Sequence, residues 1–115
     1  MTASPAKVGT AWATLARALA ERRPVLARYH GHDRVLCPHV LGWKNGRPKV
    51  LAYQVDGTTS TGPLPACPEQ RWRSLYVDEV EDALIVSGYT WETPCNYTDD
   101  SNCVDQVASS IVAAN

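Results

Sequence analysis

The sequence predicts a mainly β protein with flanking helices (α+β), its centre a small five-stranded antiparallel barrel. Three observations predict it. Val8, Trp12, Leu15 and Leu19 fall on one helical face before the first proline break. Between residues 24 and 87, five short runs rich in Val, Leu and Tyr alternate with turn signals. Beyond them Val104, Val107, Ala108, Ile111 and Val112 return to helical spacing. At 115 residues the chain makes one domain, 1–115, with a single core. Short antiparallel strands that close on themselves remove exposed sheet edges, which favours a barrel over an open sheet.

Each element has its own reason. Ser4 can cap a helix and Pro5 suits its first turn, so the N-terminal helix runs over 5–22. Pro24 drives Arg23 into an extended conformation and ends it. The barrel then occupies 24–87. "VLARYH" is the first strand, reversed by "HGHD" into "RVLCPHVLGW". Pro38 has no N–H for a ladder, so it marks an edge or a bulge. Asn45-Gly46 in "KNGR" is the strongest turn, because both residues tolerate positive φ. "PKVLAYQV" is the third strand, and "DGTTSTGPLPACPEQ" a loop long enough to be functional or disordered. "RWRSLYV" and "DALIV" are the fourth and fifth strands, joined by the acidic turn "DEVE". Residues 88–113 form a loop and then a helix at about 101–113, capped by Asp100 or Ser101.

Composition excludes several classes. No apolar run approaches the roughly 20 residues of a membrane span. The N-terminus lacks the apolar block and cleavage site of a signal peptide, so a cytoplasmic protein is expected. A net charge of −1 argues against a general polyanion binder. Its distribution is uneven, however. All 11 Lys and Arg lie in residues 1–73 with four acids (Glu21, Asp33, Asp56, Glu69), a balance of +7. Residues 74–115 hold the other eight acids and no Lys or Arg, a balance of −8. Such asymmetry marks an anion-binding face, or two halves that folding intermixes. Cys37, Cys67, Cys95 and Cys103 are spaced by 30, 28 and 8, without a Cys-x-x-Cys pair. Buried, inert thiols are expected, with Cys95 the one to watch for reactivity. His30, His32 and His39 with Cys37 lack a preformed fourth ligand, so no metal site is expected. No phosphate loop, "GxSxG" or "HExxH" occurs, and no cofactor is implied.

The polar residues on the strands are the functional signal. Tyr29, Arg34, His39, Tyr53, Gln54, Arg71 and Arg73 sit where plain hydrocarbon is expected. A guanidinium presents a planar fork matched to carboxylate or phosphate, and Tyr and Gln can orient the same ligand. Alternation places Tyr53 and Gln54 on opposite faces, and Arg71 and Arg73 on one face with Trp72 on the other. The competing structural reading is a solvated exterior whose Arg stems cover apolar surface.

The stretches "RRPVLARYHGHDRVLCPHVLG", "KVLAYQVDG" and "WRSLYVDEVEDALIV", in that order, resemble the WYL domain over roughly residues 20–90. The resemblance implies an Sm/SH3-like β-barrel that senses a ligand, often a nucleotide or nucleic-acid fragment. In that pattern the basic position of the fourth strand matches Arg73 and the third-strand aromatic matches Tyr53. The chain departs from the longer regulators of the family: a single helix before the barrel leaves no room for a helix-turn-helix. The Trp-Tyr-Leu triplet is also replaced, the third strand reading "VLAY". A short stand-alone form is expected, binding a small anionic ligand, nucleotide or short nucleic acid and acting through a protein partner. Two other classes use the same residues: a small enzyme with His39 or Cys95 as reactive group, and a non-catalytic subunit that self-associates into a homo-oligomer.

Overall fold

The computed structural model describes residues 5–67, 70–93, 104 and 106–110 of the chain. Helix α1 spans Pro5–Glu21 and buries Ala11, Leu15, Ala18 and Leu19, with Trp12 half-buried beside them. Trp12 stacks on Trp43 with ring centroids 5.0 Å apart. The helix ends as Pro24 requires. Arg22 takes a left-handed φ of 53°, Arg22 N–H donates to Leu19 O (3.3 Å) and Arg23 N–H to Ala18 O (2.9 Å). That pair of bonds is a Schellman closure, made here by a residue that has a Cβ.

The strands are β1 (Val25–Tyr29), β2 (His32–Lys44), β3 (Arg47–Thr59), β4 (Gly62–Pro63), β5 (Trp72–Tyr76), β6 (Val80–Ile85) and β7 (Gln106–Ser110). Asn45 and Gly46, at φ 52° and 79°, make the expected tight turn between β2 and β3. His30 and Gly31, at φ 50° and 79°, repeat it between β1 and β2. Every described pairing is antiparallel, and the main order is β6–β1–β2–β3–β5. The two outer strands of that run, β5 and β6, are joined by a single 3-10 turn, Val77–Glu79. A connection that short across five strands forces the sheet to curl, and α1 fills the concave side. The core there is Leu15, Val25, Leu36, Leu41, Val50, Ala52, Leu75 and Val77 with their neighbours.

Three expectations need correction. The sheet is a curled half-barrel, because no ladder joins β5 to β6 among the described residues. Among the described residues it has seven strands rather than five, because the expected long loop carries the two-residue β4 and the C-terminal segment adds β7. The C-terminal helix expected at 101–113 is replaced at 106–110 by β7, antiparallel to the second half of β2. Residues 101–103, 105 and 111–113 of that expected helix, and its cap at Asp100 or Ser101, lie outside the described residues. The physical reason is edge pairing. β1 covers β2 only from His32 to Leu36, which leaves the backbone of Val40–Trp43 to be paired, and β7 pairs it. Val104 buries itself with Val40 and Leu51 on the sheet's outer side, whereas Val107 is exposed. The helical period therefore misled over 106–110.

Pro38 marks a bulge, one of its two expected meanings. β2 and β3 shift register between Pro38 and Val40, where His39 is the extra residue, and again at Val35–Leu36, where Val55 is. No described helix is long and apolar enough to cross a membrane.

Gly42 tests the seating of β7. A Cβ there would run into the Gln106 backbone carbonyl, whereas one on Gly46 would meet nothing within 4 Å. Gly42→Ala is expected to lower stability by about 1–3 kcal/mol in urea denaturation, the range of an overpacked contact. Gly46→Ala should lose only the roughly 1 kcal/mol of its left-handed backbone. Equal losses would mean that β7 does not press on β2.

Candidate anion site

Cross-strand partners share a face, which sorts the seven expected residues into two groups. Gln54 pairs with Leu36 and Arg73 with Ala52, and both partners belong to the helix-side core. Arg34 lies two residues before Leu36 on β2, on the same side, and Tyr29 is itself part of that core. Tyr53, by contrast, pairs with Cys37 and with Trp72 on the outer face. Tyr29, Arg34, Gln54 and Arg73 therefore come together, and Tyr53, His39 and Trp72 form a separate outer cluster.

Arg71 does not join Arg73 on one face as alternation predicts. It precedes β5, so strand alternation does not govern it. Its Nε donates to Pro65 O at 2.7 Å, and its guanidinium stands beside the Tyr53 phenol. The outer group is thus Tyr53, Arg71, Trp72 and His39.

The inner group is built around Gln54, which is fully buried. Its Nε2 donates to Asp56 O and Thr58 O, both at 3.0 Å, across the irregular stretch that Val55 creates. Its Oε1 accepts from Arg73 Nε at 3.2 Å. Arg73 Nη1 donates to Gln70 O (3.1 Å) and Trp72 O (3.0 Å). Gln54 has thus spent both amide protons on backbone, and it positions Arg73 rather than offering itself.

Arg34 is 3% exposed. Its Nη2 reaches Tyr29 O and Ser60 Oγ, each at a long 3.3 Å, and its guanidinium carbon stands 5.4 Å from the Tyr29 ring centroid. Its Nε is buried with no hydrogen-bond partner. Among the described residues no carboxylate pairs with Arg34 or Arg73. Burial, and then the charge of Arg73, push the Arg34 pKa down; burial does the same to Arg73. Burial raises the Tyr29 phenol, whose oxygen accepts from Tyr76 N–H at 3.2 Å. Two guanidiniums that repel each other at the edge of a core, one with an idle donor, are a site short of negative charge.

At the turn before β6 the charges are compensated. Arg47 holds Asp78 through two bonds (3.1 and 2.7 Å) and Glu79 through a third (3.1 Å), with its guanidinium 3.7 Å above the Tyr76 ring. His30 Nε2 reaches Glu79 at 2.7 Å, and His32 Nδ1 reaches Thr58 Oγ1 at 3.0 Å. The basic and acidic halves of the sequence thus meet at this turn. Among the described residues no group of three His, Cys, Asp or Glu is placed to hold a metal.

His39 is fully buried, its Nδ1 2.7 Å from Cys37 O and its Nε2 2.8 Å from Thr93 Oγ1. Burial pulls its pKa down to about 4 and pushes the Cys37 thiol up to about 11. Neither is poised for catalysis at neutral pH. Cys67 is exposed, against the expectation of burial, because it sits in the loop after β4; Cys95 and Cys103 lie outside the described residues. Sequence reasoning passed over Ser60, which the long loop brings onto Arg34, and Trp91 and Thr93, which carry no motif.

Gln54→Leu keeps the volume but strands the Arg73 Nε and two backbone carbonyls. It should destabilise the fold by on the order of 3 kcal/mol in chemical denaturation. A loss below about 0.5 kcal/mol would mean that water substitutes freely and the site is not preorganised.

No family model, curated protein or solved structure matches the chain.

Proposed function

We propose that this chain is a ligand-binding module for a small anion, a nucleotide or the phosphates of a short nucleic acid, acting through a protein partner. The observation that carries the reading is Arg34: a guanidinium 3% exposed, its Nε orphaned, beside Arg73 and without a facing carboxylate. An unpaired buried cation costs several kcal/mol, so a fold that keeps one gains when an anion arrives. Arg34 and Arg73 are the ligand donors in this reading. Gln54 and Ser60 position them, and Tyr29 walls the site. Tyr53, Arg71 and His39 serve the outer face instead.

The resemblance to the WYL domain supports the same reading. It implies an Sm/SH3-like barrel, and the curled antiparallel run of β1, β2, β3 and β5, with β6 returning beside β1, is in keeping with it. Of the residues matched to the family pattern, Arg73 falls in the inner group and Tyr53 does not. The catalytic alternative draws no support from His39, whose ring is buried and bonded at both nitrogens.

The decisive variant is Arg34→Met, which keeps an unbranched, apolar side chain and removes the charge. The unliganded protein should melt at the same temperature or higher, because a buried charge leaves the core. Binding of phosphate or a mononucleotide, read by calorimetry, should weaken by roughly 10- to 150-fold, the equivalent of about 1.5–3 kcal/mol for a charged hydrogen bond. Arg73→Lys should rescue only part of what Arg73→Ala loses, since lysine lacks the fork. With two arginines contacting phosphate, single-stranded DNA binding should fall by less than about tenfold between 50 and 200 mM salt. If Arg34→Met melts the protein and leaves binding intact, Arg34 is a brace and the reading is wrong.

A further inference from the structure

The outer cluster has a cover. Residues 86–93 leave the end of β6, tied to the backbone by Val86 N–H donating to Pro24 O at 3.1 Å. Side chains hold the rest. The Tyr89 phenol stands beside the Asp56 carboxylate on β3, which raises its pKa. The Trp91 ring lies 4.8 Å from the His39 ring, and its Nε1–H donates to Thr93 Oγ1 at 3.1 Å. Thr93 Oγ1 in turn meets His39 Nε2, whose ring stands edge-on to Trp72 at 4.9 Å. Cys37 is fully buried beneath, its thiol against the backbone of Glu92.

The proton positions are constrained. Cys37 O can only accept, so Nδ1 carries the hydrogen and Nε2 of a neutral ring accepts from the Thr93 hydroxyl. That leaves Thr93 Oγ1 free to accept from Trp91, and the chain of donors runs one way. Placing a second proton on Nε2 reverses the Thr93 contact and buries a cation. Only the carbonyls of Cys37 and Glu92 relieve it, and burial outweighs them. Arg22, at the end of α1, repels it, Arg71 is turned to Pro65 and Tyr53, and Glu92 offers its backbone carbonyl rather than its charge.

We propose that residues 86–93 are an acid-released strap: it seats only on neutral His39, and protonating that imidazole lifts Trp91 and Thr93 and uncovers Cys37 and the Tyr53–Trp72 face while helix and sheet stay folded. Side-chain anchoring without a ladder makes this segment cheaper to open than the strands it covers. The sign follows from linkage. Seated, the ring titrates near 4; released and hydrated, it returns to 6.5, so the open form binds more protons between those values and acid favours opening. The opening equilibrium should rise about 30-fold between pH 7.5 and pH 5, and level off below pH 4.

The test reads Cys37. In a Cys67→Ser, Cys95→Ser, Cys103→Ser protein, 4,4′-dithiodipyridine labelling of Cys37 is divided at each pH by the rate of a free thiol peptide. The strap predicts that this protection falls roughly 30-fold from pH 7.5 to pH 5 with the far-ultraviolet circular dichroism unchanged. Thr93→Val should lower protection already at pH 7.5, and His39→Gln should abolish its pH dependence. If His39→Gln fails to fold, the titration and Thr93→Val still decide. Constant protection, or protection lost only together with the circular dichroism, overturns the proposal.

Discussion

The missing N–H of Pro38 is the constraint on which the arrangement depends. β2 is a 13-residue strand, and its two halves have different neighbours: β1 on the first, β7 on the second. Pro38 cannot continue the ladder where they meet, and the register shift that follows leaves His39 as the extra residue. A bulge bends its strand and increases the local twist, which is what a long strand needs to serve a curled sheet. It also re-aims one side chain, so His39 turns to the outer face among Trp72, Trp91 and Thr93.

The second irregularity, at Val55 on β3, does for the inner face what Pro38 does for the outer. An extra residue breaks the regular exchange of backbone bonds, and the Gln54 amide takes up the carbonyls of Asp56 and Thr58. Next to it Gly57, at φ 97°, sits so close to Asp33 that a Cβ would strike its carbonyl. Leaving a buried carbonyl unpaired costs about 1–3 kcal/mol, so glutamine is held there by satisfaction of the backbone and only secondarily by its bond to Arg73. The site and the fold use the same side chain.

Much of this was legible in the residues. The helix, its stop at Pro24, the Asn45-Gly46 turn and the antiparallel order each rest on local chemistry that a short stretch contains. Pro38 announced an edge or a bulge, and the bulge is what stands. β7 was illegible because its cause is remote: Gln106–Ser110 is a strand through the unpaired edge of Val40–Trp43. The polar residues stood out in the sequence, yet their division between two faces did not. Tyr53 and Gln54 alternate as expected, but both are buried, one by the outer aromatic cluster and one by the core. Arg71 escaped the alternation that placed Arg73 because it lies one residue outside its strand.

Register is what keeps the two faces apart. Consecutive residues on β3 and β5, Tyr53–Gln54 and Trp72–Arg73, send their side chains to opposite sides. A slip of one residue would exchange the members of each pair, taking Tyr and Trp inward and turning the cation outward. The regular ladder alone resists that slip weakly, since the strands have polar and aromatic residues on both faces. The bulges at Val55 and His39 do not repeat elsewhere along β2 and β3, so only one alignment places the extra residue opposite its gap. Gln54 adds side-chain bonds that exist in that alignment and in no neighbouring one. The irregularities that distort the sheet are therefore what fix it, and they hold the inner group of Arg34, Gln54 and Arg73 one residue away from the outer aromatic cluster of Tyr53, Trp72 and His39.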